Sequence, residues 1–310
     1  RAWLKQYATR RYGAFSPATQ KAWMLLLEGP YRQGTNGTEK SSIVAARPAL
    51  DVKKSGPNAG LEIPYDPALI IRAQSLLLED ADKLSASRPY RFDLVDVQRQ
   101  MMTNLGQLIH RKAAEAFRSK DREAFTLHSG RFLGMLADMD TLLRTRSEYS
   151  FDRWLTEARS WGETKEEKNQ MERDATSLVT IWGADGDPRI FDYSWREWAG
   201  LINGYYLPRW QKFYTMLQQH LDEGTSYEEA GLPQIYGREA FRANDFYHAL
   251  AERELSYVDT YGKARIPATE GDEIDIVKRL FKKYFKLSQE YYTDSIKLIK
   301  PSRDERTYEN

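Results

Sequence analysis

The sequence contains no cysteine, which excludes a disulfide framework, a thiolate nucleophile and a zinc ribbon. It also lacks an excess of charge of one sign, because 46 Lys and Arg residues nearly balance 45 Asp and Glu residues. A chain without a strong positive field attracts a phosphate backbone poorly, so no nucleic-acid partner is predicted. No apolar run approaches the roughly 20 residues that span a bilayer, and no membrane span is predicted.

The motifs of common cofactor and catalytic sites are missing as well. The sequence has no glycine-rich phosphate loop and no Gly-x-Ser-x-Gly nucleophile elbow. Its histidines are scattered and none forms the His-Glu-x-x-His pair that holds zinc; they are His110, His128, His220 and His248. The sequence therefore predicts no cofactor and no metal site. Its 45 acidic residues offer many carboxylate pairs by chance, so the residues alone identify no catalytic carboxylate.

Helical periodicity, by contrast, is abundant. Apolar residues recur at steps of three or four, as in Leu94, Val97, Met101, Leu105 and Leu108. One Ser-Pro pair and one Asp-Pro pair, Ser16-Pro17 and Asp66-Pro67, each combine an N-cap oxygen with a proline at the first helical position. Helices are predicted at roughly 92–118, 121–146, 149–161, 163–182, 193–222, 237–255 and 272–284. The pattern predicts an all-α, bundle-like fold.

Two segments interrupt the periodicity. Residues 33–64 are rich in Gly, Pro and polar side chains and are predicted as a long irregular excursion over the surface. Residues 183–189 read as a turn between two helices. No linker composition divides the chain, so residues 1–310 are predicted to be a single all-α domain with a frayed tail at 301–310. The chain opens on Arg1 in an amphipathic segment without an initiator methionine, which suggests a piece of a longer protein.

Aromatic residues make up 13% of the chain and include 8 Trp. Trp182 is predicted to end a helix on the apolar stripe of Met171, Ala175 and Leu178, before a stop at Gly183. From the residues, two roles remain open. Trp182 either seals the core or, with Tyr193 opening the next helix, forms an aromatic wall beside a cleft. Further along, Trp198, Tyr205 and Trp210 recur at helical spacing and are predicted to pack in the core.

Several short segments in residues 10 to 210 follow one another in a specific order. They are Arg10-Arg11-Tyr12-Gly13, Trp23-Met24-Leu25-Leu26-Leu27, Arg47-Pro48-Ala49-Leu50, Tyr90 to Val97 with Arg99-Gln100, Thr180-Ile181-Trp182-Gly183, Asp192-Tyr193, Ala199-Gly200-Leu201, Tyr205-Tyr206 and Pro208-Arg209-Trp210. Together they resemble the C-terminal region of the α-N-acetylglucosaminidases, glycoside hydrolase family 89. The ordered coverage is more specific than any one segment.

The resemblance implies a three-part parent enzyme, in which this chain is the all-α C-terminal domain and packs on a small β domain and a catalytic TIM-like barrel. The family removes terminal α-linked N-acetylglucosamine from a glycan with retention, using two barrel glutamates. Both glutamates are expected to precede this chain, so it is predicted to hold no catalytic residue and to be inactive alone. The implied compartment is secreted or periplasmic in a bacterium and lysosomal in an animal.

The resemblance also implies which residues bind substrate. Trp182, Ile190 and Tyr193 match residues of the helical domain that line the sugar pocket in the family. Trp195 departs from the family pattern, which commonly has Asn at that position. The alternative hypothesis, from another class, is a non-catalytic helical interaction or scaffold module. That hypothesis predicts Trp182 and Tyr193 fully buried, whereas the glycosidase hypothesis predicts them at an open surface.

Overall fold

The computed structural model describes residues 2–32, 41–55, 60–182, 191–227, 229, 245–260 and 271–292. These residues form ten α-helices: α1 (Ala2–Tyr12), α2 (Pro17–Glu28), α3 (Pro67–Leu78), α4 (Arg88–Arg118), α5 (Arg122–Leu143), α6 (Phe151–Arg159), α7 (Lys165–Leu178), α8 (Leu207–Glu223), α9 (Asp245–Thr260) and α10 (Glu273–Tyr291). Within these ranges there is no β-strand, and the sheet-like contacts are isolated bridges, Lys54 with Gly60 and Ser150 with Ala199. The all-α prediction is confirmed.

Local signals correctly predicted the starts of α2 and α3. The side chain of Ser16 accepts a hydrogen bond from the Ala18 amide at 3.1 Å, and Asp66 accepts one from the Ala68 amide at 2.9 Å. Each of these residues thus caps a helix that begins at the following proline. The predicted helix 237–255 begins outside the described residues, and the structure describes α9 from Asp245. The predicted frayed tail, residues 301–310, also lies outside the described residues.

The chain divides into two compact units. Unit 1 comprises residues 1–36, 63–105 and 273–310, and its described part holds α1, α2, α3, α10 and the first part of α4. Within it α2 packs on α1 and α3, and α10 packs on α3. Unit 2 comprises residues 37–62 and 106–272, and its described part holds the rest of α4 and the helices α5 to α9. That the whole chain forms a single domain stays a prediction.

The core of unit 2 is rich in aromatic rings. Trp210 of α8 lies with its ring centroid 4.7 Å from Phe132 of α5 and 4.8 Å from His110 of α4. All three side chains are buried, and the Nδ1 atom of His110 lies 2.8 Å from the hydroxyl of Tyr214. Edge and tilted ring contacts of this kind add to the free energy gained by burial alone. The packing fixes α8, which carries Arg209.

A short π-helix, Ile202–Tyr206, leads into α8. The buried carboxylate of Asp140 on α5 accepts hydrogen bonds from the amides of Gly200 at 2.7 Å and Asn203 at 3.1 Å. It therefore satisfies amides that the helical stretch leaves free at its beginning, as an N-cap from another helix would. Gly200 has a φ of 87°, a left-handed conformation that favours glycine.

The described part of the segment predicted as a surface excursion is irregular, but the prediction that it runs over the surface is wrong for residues 41–50. Every residue of 41–50 is buried, including Ile43, which is 1% exposed. Its backbone finds partners in the interior: the guanidinium of Arg209 donates to the Ala45 carbonyl at 2.7 Å, and the Tyr247 hydroxyl donates to the Pro48 carbonyl at 3.0 Å. An irregular segment can be buried when its polar backbone atoms are hydrogen-bonded.

Candidate functional site

The two predicted aromatic residues lie on either side of residues 183–190, in non-helical backbone. Helix α7 ends at Leu178, so the prediction that it extends to Trp182 is wrong. Tyr193 lies in a turn and not at the start of a helix, because α8 and its π-helical lead-in begin only at Ile202. Trp182 has a φ of 43° and Asp192 a φ of 57°, left-handed conformations that a non-glycine residue adopts only where its surroundings hold it.

The two side chains come together. The ring centroids of Trp182 and Tyr193 are 4.7 Å apart with an angle of 47° between the ring planes. Tyr193 is 42% exposed and Trp182 is half-buried, so neither ring is enclosed in the core. Ile190, the third residue predicted to bind substrate, lies outside the described residues. That any of the three lines a sugar pocket stays a prediction.

The apolar stripe predicted to end at Trp182 is not the buried face of α7. Met171 is 38% exposed and Leu178 is 40% exposed, and Ala175 alone of the predicted stripe is buried. The face that is buried, where α7 packs on α6 and α9, also carries Glu172 and Thr176. Polar residues can occupy it because Glu172 pairs with Arg159 of α6 and the Thr176 hydroxyl donates to the Glu172 carbonyl at 2.8 Å.

The backbone joins the two sides of the aromatic pair. The amide of Asp192 donates to the carbonyl of Thr180 at 2.7 Å, and the amide of Trp182 donates to the carbonyl of Ser177 at 2.8 Å. Between these bonds, Ile181 and Phe191 are buried in one apolar cluster with Val258, and Ala251 and Leu255 pack against it. Helix α9 thus provides the floor on which both segments rest.

The residue before Tyr193 belongs to a network of four buried charges, which we call the buried quartet: Arg47, Asp192, Arg209 and Glu254. The Nη1 atom of Arg209 donates to both carboxylate oxygens of Asp192, at 2.9 and 3.2 Å, and to Glu254 at 2.9 Å. Glu254 also accepts from Arg47, from Nη2 at 2.9 Å and from Nε at 3.2 Å. Two cations and two anions balance, which is how a protein tolerates buried charge.

The quartet is enclosed by aromatic rings as well as by charge. The guanidinium of Arg47 lies 4.9 Å from the ring centroid of Phe191, and that of Arg209 lies 4.5 Å from that of Tyr205. Asp192, Arg209 and the side chain of Glu254 are fully buried. Burial raises the pKa of the Asp192 carboxyl well above that of an exposed aspartate, while the adjacent Arg209 opposes this shift. The charged form of Asp192 therefore depends on its arginine partner.

Sequence reasoning assigned no role to the members of the quartet. One signal was available for Arg209, which falls between Tyr206 and Phe213 on the apolar face of its helix, where an unpaired cation would be costly. Nothing local marks Glu254 or Asp192, because their partners are distant in sequence. Of the residues predicted for the core, Tyr205 and Trp210 are buried, whereas Trp198 is half-buried beside Trp154, at a ring distance of 5.7 Å.

Within the described ranges, no group of three or more His, Asp or Glu residues is placed to hold a metal ion. In the same ranges, no helix combines the length and apolar character needed to cross a membrane. Trp195 is half-buried, and its amide donates to the Asp192 carbonyl at 3.2 Å. The arrangement is a contact between a half-buried tryptophan and an exposed tyrosine, next to a buried charge network that includes Asp192.

Comparison with known proteins now identifies the family. A family model described as the α-N-acetylglucosaminidase C-terminal domain matches residues 3–283, a range that includes Trp182 and Tyr193. The chain belongs to this family. The resemblance carried by the short segments is thereby confirmed. Human α-N-acetylglucosaminidase is 30% identical over 290 residues, which cover 92% of this chain and 35% of the human protein.

Solved structures of family 89 glycoside hydrolases share the fold. The Clostridium perfringens enzyme in complex with PUGNAc has a TM-score of 0.78 and 25% identity, over 91% of this chain and 31% of its own length. A doubly substituted form of an enzyme from the same organism, in complex with its substrate GlcNAc-α-1,4-galactose, has a TM-score of 0.80 and 24% identity over 93% and 32%. The chain therefore spans about a third of the length of the relatives it matches.

Proposed function

We propose that this chain is the helical domain of a retaining α-N-acetylglucosaminidase-like glycosidase and that Trp182 and Tyr193 pack against the sugar. The observation that carries the proposal is the aromatic pair, which lies outside the core on anchored non-helical backbone. Binding residues on a loop held by a rigid scaffold are a common arrangement in enzymes. Family membership supports the substrate class, since a relative of the same fold binds GlcNAc-α-1,4-galactose as its substrate.

The chemistry is proposed to lie elsewhere in the parent protein. Retaining hydrolysis requires two carboxyl groups about 5 Å apart, one as nucleophile and one as acid and base. We place both on a catalytic barrel that, with a small β domain, forms the partner surface of this chain. The aromatic pair then adds binding energy, about 1 kcal/mol for each ring that packs against the sugar. Ile190 belongs to the same proposed pocket.

The proposed compartment follows from the same assignment. For a bacterial parent we propose a secreted or periplasmic enzyme, and for an animal parent a lysosomal one, because the relatives come from both kinds of organism. Fractionation of cells that express the parent from its own gene checks this. Enzyme confined to the cytosol would contradict it.

The proposal is tested in the parent enzyme with Trp182→Ala. Loss of the indole face should raise KM for an aryl α-N-acetylglucosaminide about fivefold, the equivalent of about 1 kcal/mol. Trp161→Ala is the matched control, because Trp161 is 83% exposed and lies in the turn between α6 and α7. It should leave KM unchanged. Equal KM values for the unsubstituted parent, Trp182→Ala and Trp161→Ala would contradict the proposal.

A second test uses residues 1 to 310 alone. The purified chain should hydrolyse the same aryl glycoside no faster than its denatured control, because no catalytic carboxylate is assigned to it. Activity above that control would overturn the assignment of the glutamates to the barrel. The scaffold hypothesis makes a different prediction for Trp182→Ala. The substitution should then lower the unfolding free energy and leave the kinetics of the parent unchanged.

A further inference from the structure

Asp192 connects the aromatic pair to the buried interior. It precedes Tyr193 in the chain, its amide is bonded to Thr180 two residues before Trp182, and its carboxylate is held by Arg209. Its backbone is left-handed, with a φ of 57°. A residue held in such a conformation by several bonds sets the direction in which its neighbour leaves the backbone.

We infer that Asp192, Arg209 and Glu254 are positioning residues for the proposed sugar site, and this inference rests on the proposed function. None of them can touch a ligand at the surface, because their side chains are fully buried. Their effect must pass through Asp192 to Tyr193 and through Thr180 to Trp182. Arg47 completes the quartet and lies against Phe191, the residue before Asp192.

The quartet is better suited to specifying a geometry than to adding stability. Removing four charges from water is costly, and their mutual attraction returns little more than that cost. A well-packed apolar group would stabilise the same volume as well or better. What the charges provide instead is direction, since the Arg209 guanidinium donates at once to Asp192, to Glu254 and to the Ala45 carbonyl. These bonds tie together a turn, α9 and the irregular segment.

The test is Asp192→Asn in the full-length parent enzyme, a change that removes the charge and keeps the shape. Misplacement of Tyr193 and Trp182 should raise KM about fivefold while kcat stays within about twofold, because contacts of the sugar are lost and the reacting groups are untouched. The matched control is Asp93→Asn in unit 1. Asp93 is also buried, at 6% exposure, and is held by Arg11 at 2.6 Å, so its loss disturbs folding without touching the quartet. It should leave KM unchanged.

A double-mutant cycle separates positioning from a general loss of stability. In a background that lacks both rings, Trp182→Ala with Tyr193→Ala, Asp192→Asn should raise KM less than about twofold further, because both contacts that it misplaces are already missing. The same KM increase in both backgrounds would overturn the inference. If Asp192→Asn does not fold, Glu254→Gln replaces it, since Glu254 accepts hydrogen bonds from both Arg209 and Arg47, the two cations that lie next to Asp192 and Phe191. A smaller KM increase for Glu254→Gln in the substituted background than in the unsubstituted parent would then support the inference, and an equal increase would overturn it.

Failure of the proposed function is recognised separately. If Trp182→Ala itself leaves KM unchanged, the sugar site is wrong, and the positioning role is then judged from a crystal structure of the Asp192→Asn parent. Displacement of the rings of Trp182 and Tyr193 from their 4.7 Å contact would support positioning without a sugar site. Rings that stay in place would overturn it.

Discussion

Each unit contains an arginine–aspartate contact that closes a hydrogen-bonded cluster, and the two clusters differ in what they hold. In unit 1, Arg11 of α1 donates twice to Asp93 of α4, both at 2.6 Å, and Tyr12 donates to the same carboxylate at 2.7 Å. The Arg11 side chain is still 30% exposed. In unit 2, Arg209 and Asp192 are both fully buried.

The comparison teaches that the same pair of residue types serves two purposes. The unit 1 cluster joins two helices whose backbones are already regular, so water can reach its cation without disturbing either. Helix α4 begins at Arg88, and the carboxylate of Asp93 within it binds across to Arg11 of α1. The unit 2 quartet holds irregular backbone, which has no internal ladder of hydrogen bonds and depends on side chains for its shape.

The largest expected effect tests this contrast directly. Arg209→Met should lower the unfolding free energy by about 3–5 kcal/mol, because it leaves Asp192 and Glu254 buried without their shared cation. Arg11→Met should cost about 1–2 kcal/mol, since solvent and Tyr12 still serve Asp93. Urea denaturation of residues 1 to 310 measures both. Equal losses would show that burial does not distinguish the two clusters.

The second expected effect is a loss of unfolding free energy at acidic pH. Burial lowers the pKa of His110 to about 4 from 6.5, so the folded protein holds a neutral imidazole that the unfolded chain protonates below 6.5. Its contribution is complete above pH 6.5 and is lost as the pH falls towards 4, by about 3 kcal/mol in all. Unit 1 contains no histidine, so this acid sensitivity belongs to unit 2.

The measurement compares unfolding free energies at pH 7 and pH 4. His110→Gln should make the unfolding free energies at pH 7 and pH 4 more nearly equal, because glutamine does not titrate. It should also lower the unfolding free energy at pH 7. His248→Gln is the matched control, because that imidazole is exposed, with 56% of its side chain accessible. An unaltered pH profile in His110→Gln would rule out this source of acid sensitivity.

The third effect tests how tightly the interior of unit 2 is packed. A Cβ atom at Gly106 of α4 would lie 2.7 Å from the Met135 Cε atom and 3.2 Å from the Ile43 Cγ2 atom. Gly106→Ala should therefore lower the unfolding free energy by about 1–2 kcal/mol, as overpacking does. A thermal melt detects this, and a stabilised variant would mean that Met135 moves aside freely.

The smallest effect has the opposite sign. Gly134 lies within α5, and a Cβ atom there would meet nothing within 4 Å. Gly134→Ala should raise the unfolding free energy by about 0.5–1 kcal/mol, because alanine restricts the unfolded chain and favours the helix. The same thermal melt reports it. A loss at Gly134 as large as that at Gly106 would contradict both the expected gain from helix propensity and the role of local space in the difference between the two positions.

The amino-acid sequence by itself determined the helices and many of their ends. Ser16 and Asp66 cap α2 and α3 through hydrogen bonds that reach only two residues, so their effect is written in adjacent residues. The order of short segments along the chain likewise identified the family, which the match over residues 3–283 confirms. Such signals survive in sequence because they depend on neighbours in the chain or on their order.

Only the tertiary structure decided which surfaces are buried and what holds the candidate site. The apolar residues of α7 predicted Met171 and Leu178 inside, but α6 and α9 cover the face of Glu172 and Thr176. The partners of Arg209 lie 17 and 45 residues away from it in the chain. Burial and charge pairing depend on which elements meet in space, and a sequence pattern describes one element at a time. That is why the buried quartet emerged only with the fold.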